Sequence, residues 1–243
     1  MDNFNKKLLK VNFENNLLKG EGSWRSLYSY LIKELSPKNL IEYGSGDPEF
    51  LKNIPDTIKR VAVDANKDLE TLYKLNEIDF LAIDLENSDF ISHENYEIAV
   101  CSDVFEHFLY PEKLLTTIND NLVYDGILIS HVPNEFSIRS LLGICFNKKD
   151  SVVWHKGTKE WNNPHLRRFT DKGYQEFLSL KFAHNIRITD LKYTKVARYI
   201  SLFGLPPYPL QPGPTYISTN CEKKAKIINK LKSKYVKENI RKN

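Results

Sequence analysis

Residues 39–50 read NLIEYGSGDPEF, and the fold is decided there. The short apolar run Leu40-Ile41 passes through Glu42 and Tyr43 into Gly44-Ser45-Gly46. An apolar run halted by glycines is a buried strand entering a tight turn. Asp47 suits a helix N-cap and Pro48 the first helical position, so a helix is expected to begin at this point. Strand, glycine turn and helix N-terminus together set backbone N–H groups and a positive dipole end beside a crevice. Open α/β sheets bind nucleotides in such a crevice.

Outward from this stretch, strands and helices alternate. RVAVD (60–64), DFLAIDL (79–85), EIAVCS (97–102) and ILISHV (127–132) read as further strands, the last entered through a turn at Asp125-Gly126. Between them lie helical stretches over 67–75 and 111–123, the second with Leu114, Leu115, Ile118 and Leu122 on one face. Near-continuous apolar strands separated by helices predict a parallel sheet covered on both faces. Before the first strand, helices are expected over 4–18 and after Ser23, and residues 1–38 form a helical cover. Downstream, a short helix over 136–146 precedes a polar, aromatic stretch with Trp154, His155 and Trp161. Thr170 caps a helix running to about Leu180, and strands follow over 186–193 and 215–220. Residues 201–214 hold five prolines and two glycines and read as a loop. The main domain is thus 39–220, with inserts at 135–168 and 196–214, followed by a basic helix over 221–243.

A chain of 243 residues can bury a full core, and 41% hydrophobic with 27% charged residues suits a globular domain. The net charge of +4 is uneven: residues 221–243 carry nine Lys/Arg against two Glu, leaving the remainder slightly acidic. The body is therefore no nucleic-acid surface by charge. The tail reads as a solvated helix or as a weak contact with an anionic membrane surface through its apolar stripe. Cys101, Cys145 and Cys221 are odd in number and lack ligand spacing, which predicts reduced thiols in a cytoplasmic protein. No His/Asp/Glu set shows metal-ligand spacing, so no metal is expected.

Acidic residues recur at strand ends. Asp64 closes the second strand 18 residues after Gly46, where a carboxylate can accept from both ribose hydroxyls. Asp84 closes the third strand, where it can meet an adenine amino group, and Ser102-Asp103 close the fourth. Each alone would be a turn or helix cap; the set in register points into one crevice.

IEYGSGDPEF, VAVDAN, LAIDLEN, YEIAVCSDVFEHF, DGILISHVPN and HLRRFT, taken in this order, resemble the successive motifs of class I S-adenosylmethionine-dependent methyltransferases. The similarity is greatest to bacterial small-molecule methyltransferases like those of ubiquinone biosynthesis. It covers roughly 40–180 and implies a Rossmann-like α/β fold: a seven-stranded, mainly parallel sheet with helices on both faces and the last strand antiparallel. It also implies S-adenosylmethionine as cofactor, with Glu42, Tyr43, Gly44, Ser45 and Gly46 near its methionine part. Asp64 and Ala65 would then meet the ribose, Asp84 and Leu85 the adenine, and Ser102 and Asp103 the underside. Where the family usually has a third glycine, this chain has Pro48.

Methyl transfer to a hydroxyl needs the nucleophile aligned and its proton removed. His107, following Glu106 just after the fourth strand, is the candidate base, with His131 and His165 as further histidines at the crevice. His93 and His184 read as surface residues. Trp154, Trp161, Phe169 and Tyr208 can wall an acceptor pocket, and Arg167 and Arg168 can hold a phosphate or carboxylate. The expected reaction is O-methylation of a small polar acceptor, a sugar or related metabolite. Two alternatives stand beside it: a non-catalytic S-adenosylmethionine-binding protein and an NAD-dependent oxidoreductase.

Overall fold

The computed structural model describes residues 24–146, 165–188 and 213–240. The helix expected over 4–18, the aromatic stretch with Trp154, His155 and Trp161, and most of the proline-rich loop with Tyr208 lie outside them.

Seven strands form one sheet: β1 (Asn39–Tyr43), β2 (Lys59–Asp64), β3 (Asp79–Ala82), β4 (Tyr96–Ser102), β5 (Leu122–His131), β6 (His184–Ile188) and β7 (Thr215–Thr219). Their order across the sheet is β3-β2-β1-β4-β5-β7-β6. β1 pairs in parallel with β2 and β4, β2 with β3, and β4 with β5. β7 alone runs against its neighbours β5 and β6. The chain reverses direction of travel across the sheet between β1 and β4, the switch point at which a crevice opens beyond the strands' C-terminal ends.

Helices cover both faces because the strands are apolar on both. Along β4 and β5, Ile98, Val100, Ile127 and Ile129 join one buried cluster and Ala99, Cys101 and Leu128 the other, as the two-residue strand period requires. The first cluster also takes Tyr28, Leu31 and Ile32 of α1 (Trp24–Leu35), Tyr73 of α2 (Glu70–Leu75), and Ile228 and Tyr235 of the C-terminal helix. The second takes Leu114, Leu115 and Ile118 of α3 (Pro111–Asp120). A further helix, α4 (Ile138–Cys145), follows β5. The second cluster ends on Tyr174 and Leu178 of α5 (Asp171–Leu178), which begins where Thr170 Oγ1 accepts from Gly173 N at 3.0 Å.

Three local expectations are corrected. No α-helix follows the glycine turn: 48–50 form turns and Leu51–Asn53 a single 3-10 turn, ended before Pro55. Asp47 Oδ1 does accept from Glu49 N at 2.9 Å, but Asn53 Nδ2 bonds back to Glu49 O and the chain leaves for β2. Asp125-Gly126 is no turn before β5 but lies inside it, where the pairing with β4 shifts register between Tyr96 and Ile98. The basic tail is core: α6 (Glu222–Ile240) buries Ala225, Ile228 and Tyr235, and Tyr30 packs on Tyr235 at 5.0 Å between ring centroids. Most of the apolar stripe that a lipid contact would use therefore faces the protein.

Candidate active site

Gly44 and Gly46 both adopt left-handed backbone, with φ of 62° and 57°, so the turn is strained for any other residue. Gly44 N and Ser45 N donate to Val63 O at 2.8 and 3.2 Å, tying the turn to the end of β2. The two glycines differ in their surroundings. A Cβ on Gly44 would fall 2.5 Å from Val104 Cγ2, whereas one on Gly46 would meet nothing within 4 Å. Gly44 is a packing requirement; Gly46 faces open space.

Asp64 organises this opening. Its Oδ2 accepts from Gly46 N and its Oδ1 from Asn66 N, each at 2.9 Å. Tyr73 Oη donates to Gly46 O at 3.3 Å, and burial, then the charge of Glu42, raises the pKa of that phenol well above its usual value. Glu42 is buried beneath the turn, and Ala65 is exposed beyond Asp64. Tyr43 turns inward instead: its hydroxyl accepts from Asn121 Nδ2 at 3.1 Å in the core, leaving only its backbone for the crevice.

Asp84 sits in the turn after β3 rather than at its end. Its carboxylate accepts from Asn87 Nδ2 at 2.8 Å and Glu86 N at 3.0 Å, and these bonds lower its pKa. Leu85 packs into the second core cluster. Ser102 Oγ is buried without a hydrogen-bond partner among the described residues, at the C-terminal end of β4.

A second group of polar side chains lies past β4 and β5. Asp103, at a left-handed φ of 57°, donates its N–H to His131 O at 2.9 Å and meets His131 Nδ1 through Oδ1 at 2.8 Å. Glu106 is 2% exposed; burial, then the charge of Asp103, pushes its carboxyl up to about 9. His107 is half-exposed, with Nε2 3.9 Å from Glu106 Oε1 and its ring edge-on to that of His165 at 4.8 Å. His165 Nδ1 bonds to the buried Glu135, whose other oxygen holds Arg168 Nε at 2.8 Å. Arg167 N donates to Glu106 O at 3.0 Å and its guanidinium to Leu109 O. Both arginines expected to hold an anion are therefore engaged within the protein.

His107 and His165 thus meet past the end of β4, while His131, the last residue of β5, pairs with Asp103. His93 is exposed and His184 begins β6, away from them. Glu135 is the residue that sequence reading missed. It follows Asn134 with no spacing to mark it, and its partners come from 30 and 33 residues downstream.

The residues present fit S-adenosylmethionine. The crevice offers an unobstructed Gly46, an orphaned buried hydroxyl on Ser102, a carboxylate at the end of β2 and a second in the turn after β3. A family model described as a methyltransferase domain matches residues 19–185. The chain belongs to this family, and it is a class I S-adenosylmethionine-dependent methyltransferase.

Solved structures agree on the fold of this methyltransferase. It is similar to the plantazolicin methyltransferase BpumL in complex with a triazolic desmethylPZN analog and SAH, at 17% identity and TM-score 0.63, covering 90% of this chain and 92% of that one. An S-adenosylmethionine-dependent methyltransferase from Clostridium acetobutylicum ATCC 824 is similar at 10% identity and TM-score 0.60, covering 89% and 99%. The N-methyltransferase NodS from Bradyrhizobium japonicum WM9, in complex with S-adenosyl-L-homocysteine, is similar at 12% identity and TM-score 0.51, covering 90% and 99%. No curated protein matches the sequence.

Proposed function

We propose that this methyltransferase O-methylates a small polar acceptor, a sugar or related hydroxylated metabolite. The observation that carries the reading is the half-exposed His107 beside the buried Glu106, past the end of β4. S-adenosylmethionine supplies the methyl group when bound. Gly46, Asp64, Asp84 and Ser102 hold it, and Asp103 fixes the β4 terminus by bonding to both the backbone and the ring of His131. The acceptor enters over His107, whose imidazole takes the hydroxyl proton. Alignment in a closed crevice contributes roughly 7–11 kcal/mol in reactions of this kind.

An amine acceptor is the second reading. The carboxylate of Asp103 is partly exposed past the end of β4, where a cationic group would pair with it, and NodS is an N-methyltransferase. Incubating the protein with methyl-labelled S-adenosylmethionine and panels of hydroxylated sugars, hydroxy acids and primary amines separates the two. Label in the sugar or hydroxy-acid panel supports O-methylation; label confined to amines replaces it. Cofactor binding with no transfer to any panel would favour a non-catalytic binding protein.

A further inference from the structure

The consecutive arginines Arg167 and Arg168 are engaged in different ways. Arg167 uses both ends of its fork on carbonyls, donating from Nη2 to Leu109 O and from Nη1 to Leu166 O. Arg168 is held at one point only: its Nε meets Glu135 Oε2 at 2.8 Å, and neither Nη has a partner among the described residues. We propose that the outer end of Arg168 binds an oxyanionic group, carboxylate or phosphate, on the methyl acceptor, so that the acceptor is a hydroxylated acid or a phosphorylated polyol. The proposal rests on the crevice past β4 being the acceptor site, with His107 taking the hydroxyl proton.

The guanidinium is fixed from behind by a buried anchor. Glu135 is 1% exposed, and its other oxygen bonds to His165 Nδ1, so two partners hold the carboxylate in place. A planar guanidinium bound through Nε still presents Nη1 and Nη2 end-on, and that pair matches a carboxylate or phosphate through two parallel N–H···O bonds. The Arg168 side chain is 42% exposed, so this end is open to a ligand. A guanidinium already fixed by Glu135 loses less side-chain freedom when an anion arrives.

Its place is beside the reacting group. Arg167 N donates to Glu106 O at 3.0 Å, which lays the stretch 165–168 along the turn after β4. Glu135 lies just after β5. The rings of His165 and His107 meet edge-on at 4.8 Å, so Arg168 and His107 stand on either side of the Glu135–His165 pair. Local charge agrees with an anion. The Glu106 carboxyl, pushed up to about 9 by burial and then by Asp103, is uncharged at neutral pH, and Arg167 adds a second cation beside Arg168. An uncharged sugar would leave the end-on pair of Arg168 to water.

The test uses the full chain saturated with S-adenosylhomocysteine and treated with phenylglyoxal, which condenses with the two Nη of an accessible arginine. Mass spectrometry maps the modified sites. Arg168 should react faster than Arg167, and either inorganic phosphate or gluconate should slow it at least fivefold, with glucose without effect. Which of the two protects distinguishes a phosphate from a carboxylate. Methyl transfer to 6-phosphogluconate, gluconate and glucose should then favour a charged acceptor. Arg168→Gln should raise the KM of that acceptor roughly 10- to 100-fold with a smaller effect on kcat, and Arg168→Lys should restore only part of the loss. Thermal melting and S-adenosylhomocysteine binding of both variants show that they are folded. Modification of Arg168 at one rate with and without both anions, or label confined to glucose, would overturn the proposal. Absence of label in every acceptor counts against O-methylation alone, because protection of Arg168 is read without turnover.

Discussion

Gly46 N donates to Asp64 Oδ2 over 2.9 Å, joining the glycine turn after β1 to the end of β2 across 18 residues. This bond gives Asp64 two tasks, since the carboxylate that shapes the turn is the one assigned to the ribose. Asp64→Ala should weaken S-adenosylmethionine binding by more than about tenfold and cost roughly 1–3 kcal/mol of stability. Calorimetry and denaturant unfolding measure the two losses. Unchanged cofactor affinity would remove Asp64 from the binding site.

The two glycines of the turn should respond oppositely to alanine. Gly44→Ala meets Val104 and a left-handed backbone together, so it should lose about 2–4 kcal/mol of stability. Gly46→Ala bears only the backbone strain, about 1–2 kcal/mol, but puts a methyl into the open crevice. Its signature should be lost cofactor affinity in a protein that still folds. A Gly46→Ala variant that binds S-adenosylhomocysteine like wild type would place the cofactor elsewhere.

The C-terminal helix should prove structural. Ile228 is fully buried in α6, and Lys232 Nζ donates to Arg187 O at 2.6 Å. Ile228→Ala should cost about 2–5 kcal/mol, read from urea unfolding. A change below half a kcal/mol would return the helix to the role of a solvated tail.

Thiol chemistry offers a check on the sheet itself. Cys101 is fully buried in β4, and burial, then Glu106 and Glu42, push its thiol pKa well up. Cys145 is exposed and Cys221 partly so. Alkylation of the native protein, mapped by mass spectrometry, should label Cys145 fastest and spare Cys101 until denaturant is added. Early labelling of Cys101 would mean that β4 is not central.

A buried carboxylate bonded to an imidazole and a guanidinium from another segment should be hard to replace. Glu135 is 1% exposed between His165 and Arg168. Glu135→Ala should lose about 3–5 kcal/mol, because it removes the buried acceptor that both His165 Nδ1 and Arg168 Nε meet. Thermal melting compared with Arg168→Ala, whose side chain is more exposed, should show the larger loss at Glu135.

The sequence by itself determined the sheet and the glycine turn at its switch point. Apolar runs such as VAV and IAVC mark strands buried on both faces, and the glycine turn and Asp64 follow from rules about neighbouring residues. Those signals are local: a period of two, a turn that only glycine tolerates, an acid at a strand's end. Only the tertiary structure decided the rest. The helix expected at Asp47-Pro48 shrinks to a 3-10 turn, as Asn53 bonds back to Glu49 and Pro55 follows. The basic tail becomes core because Tyr30 and Tyr235 meet across more than two hundred residues. Glu135, His165 and Glu106 become neighbours because packing, which carries no sequence spacing, brings together three segments: those after β4, after β5 and before α5.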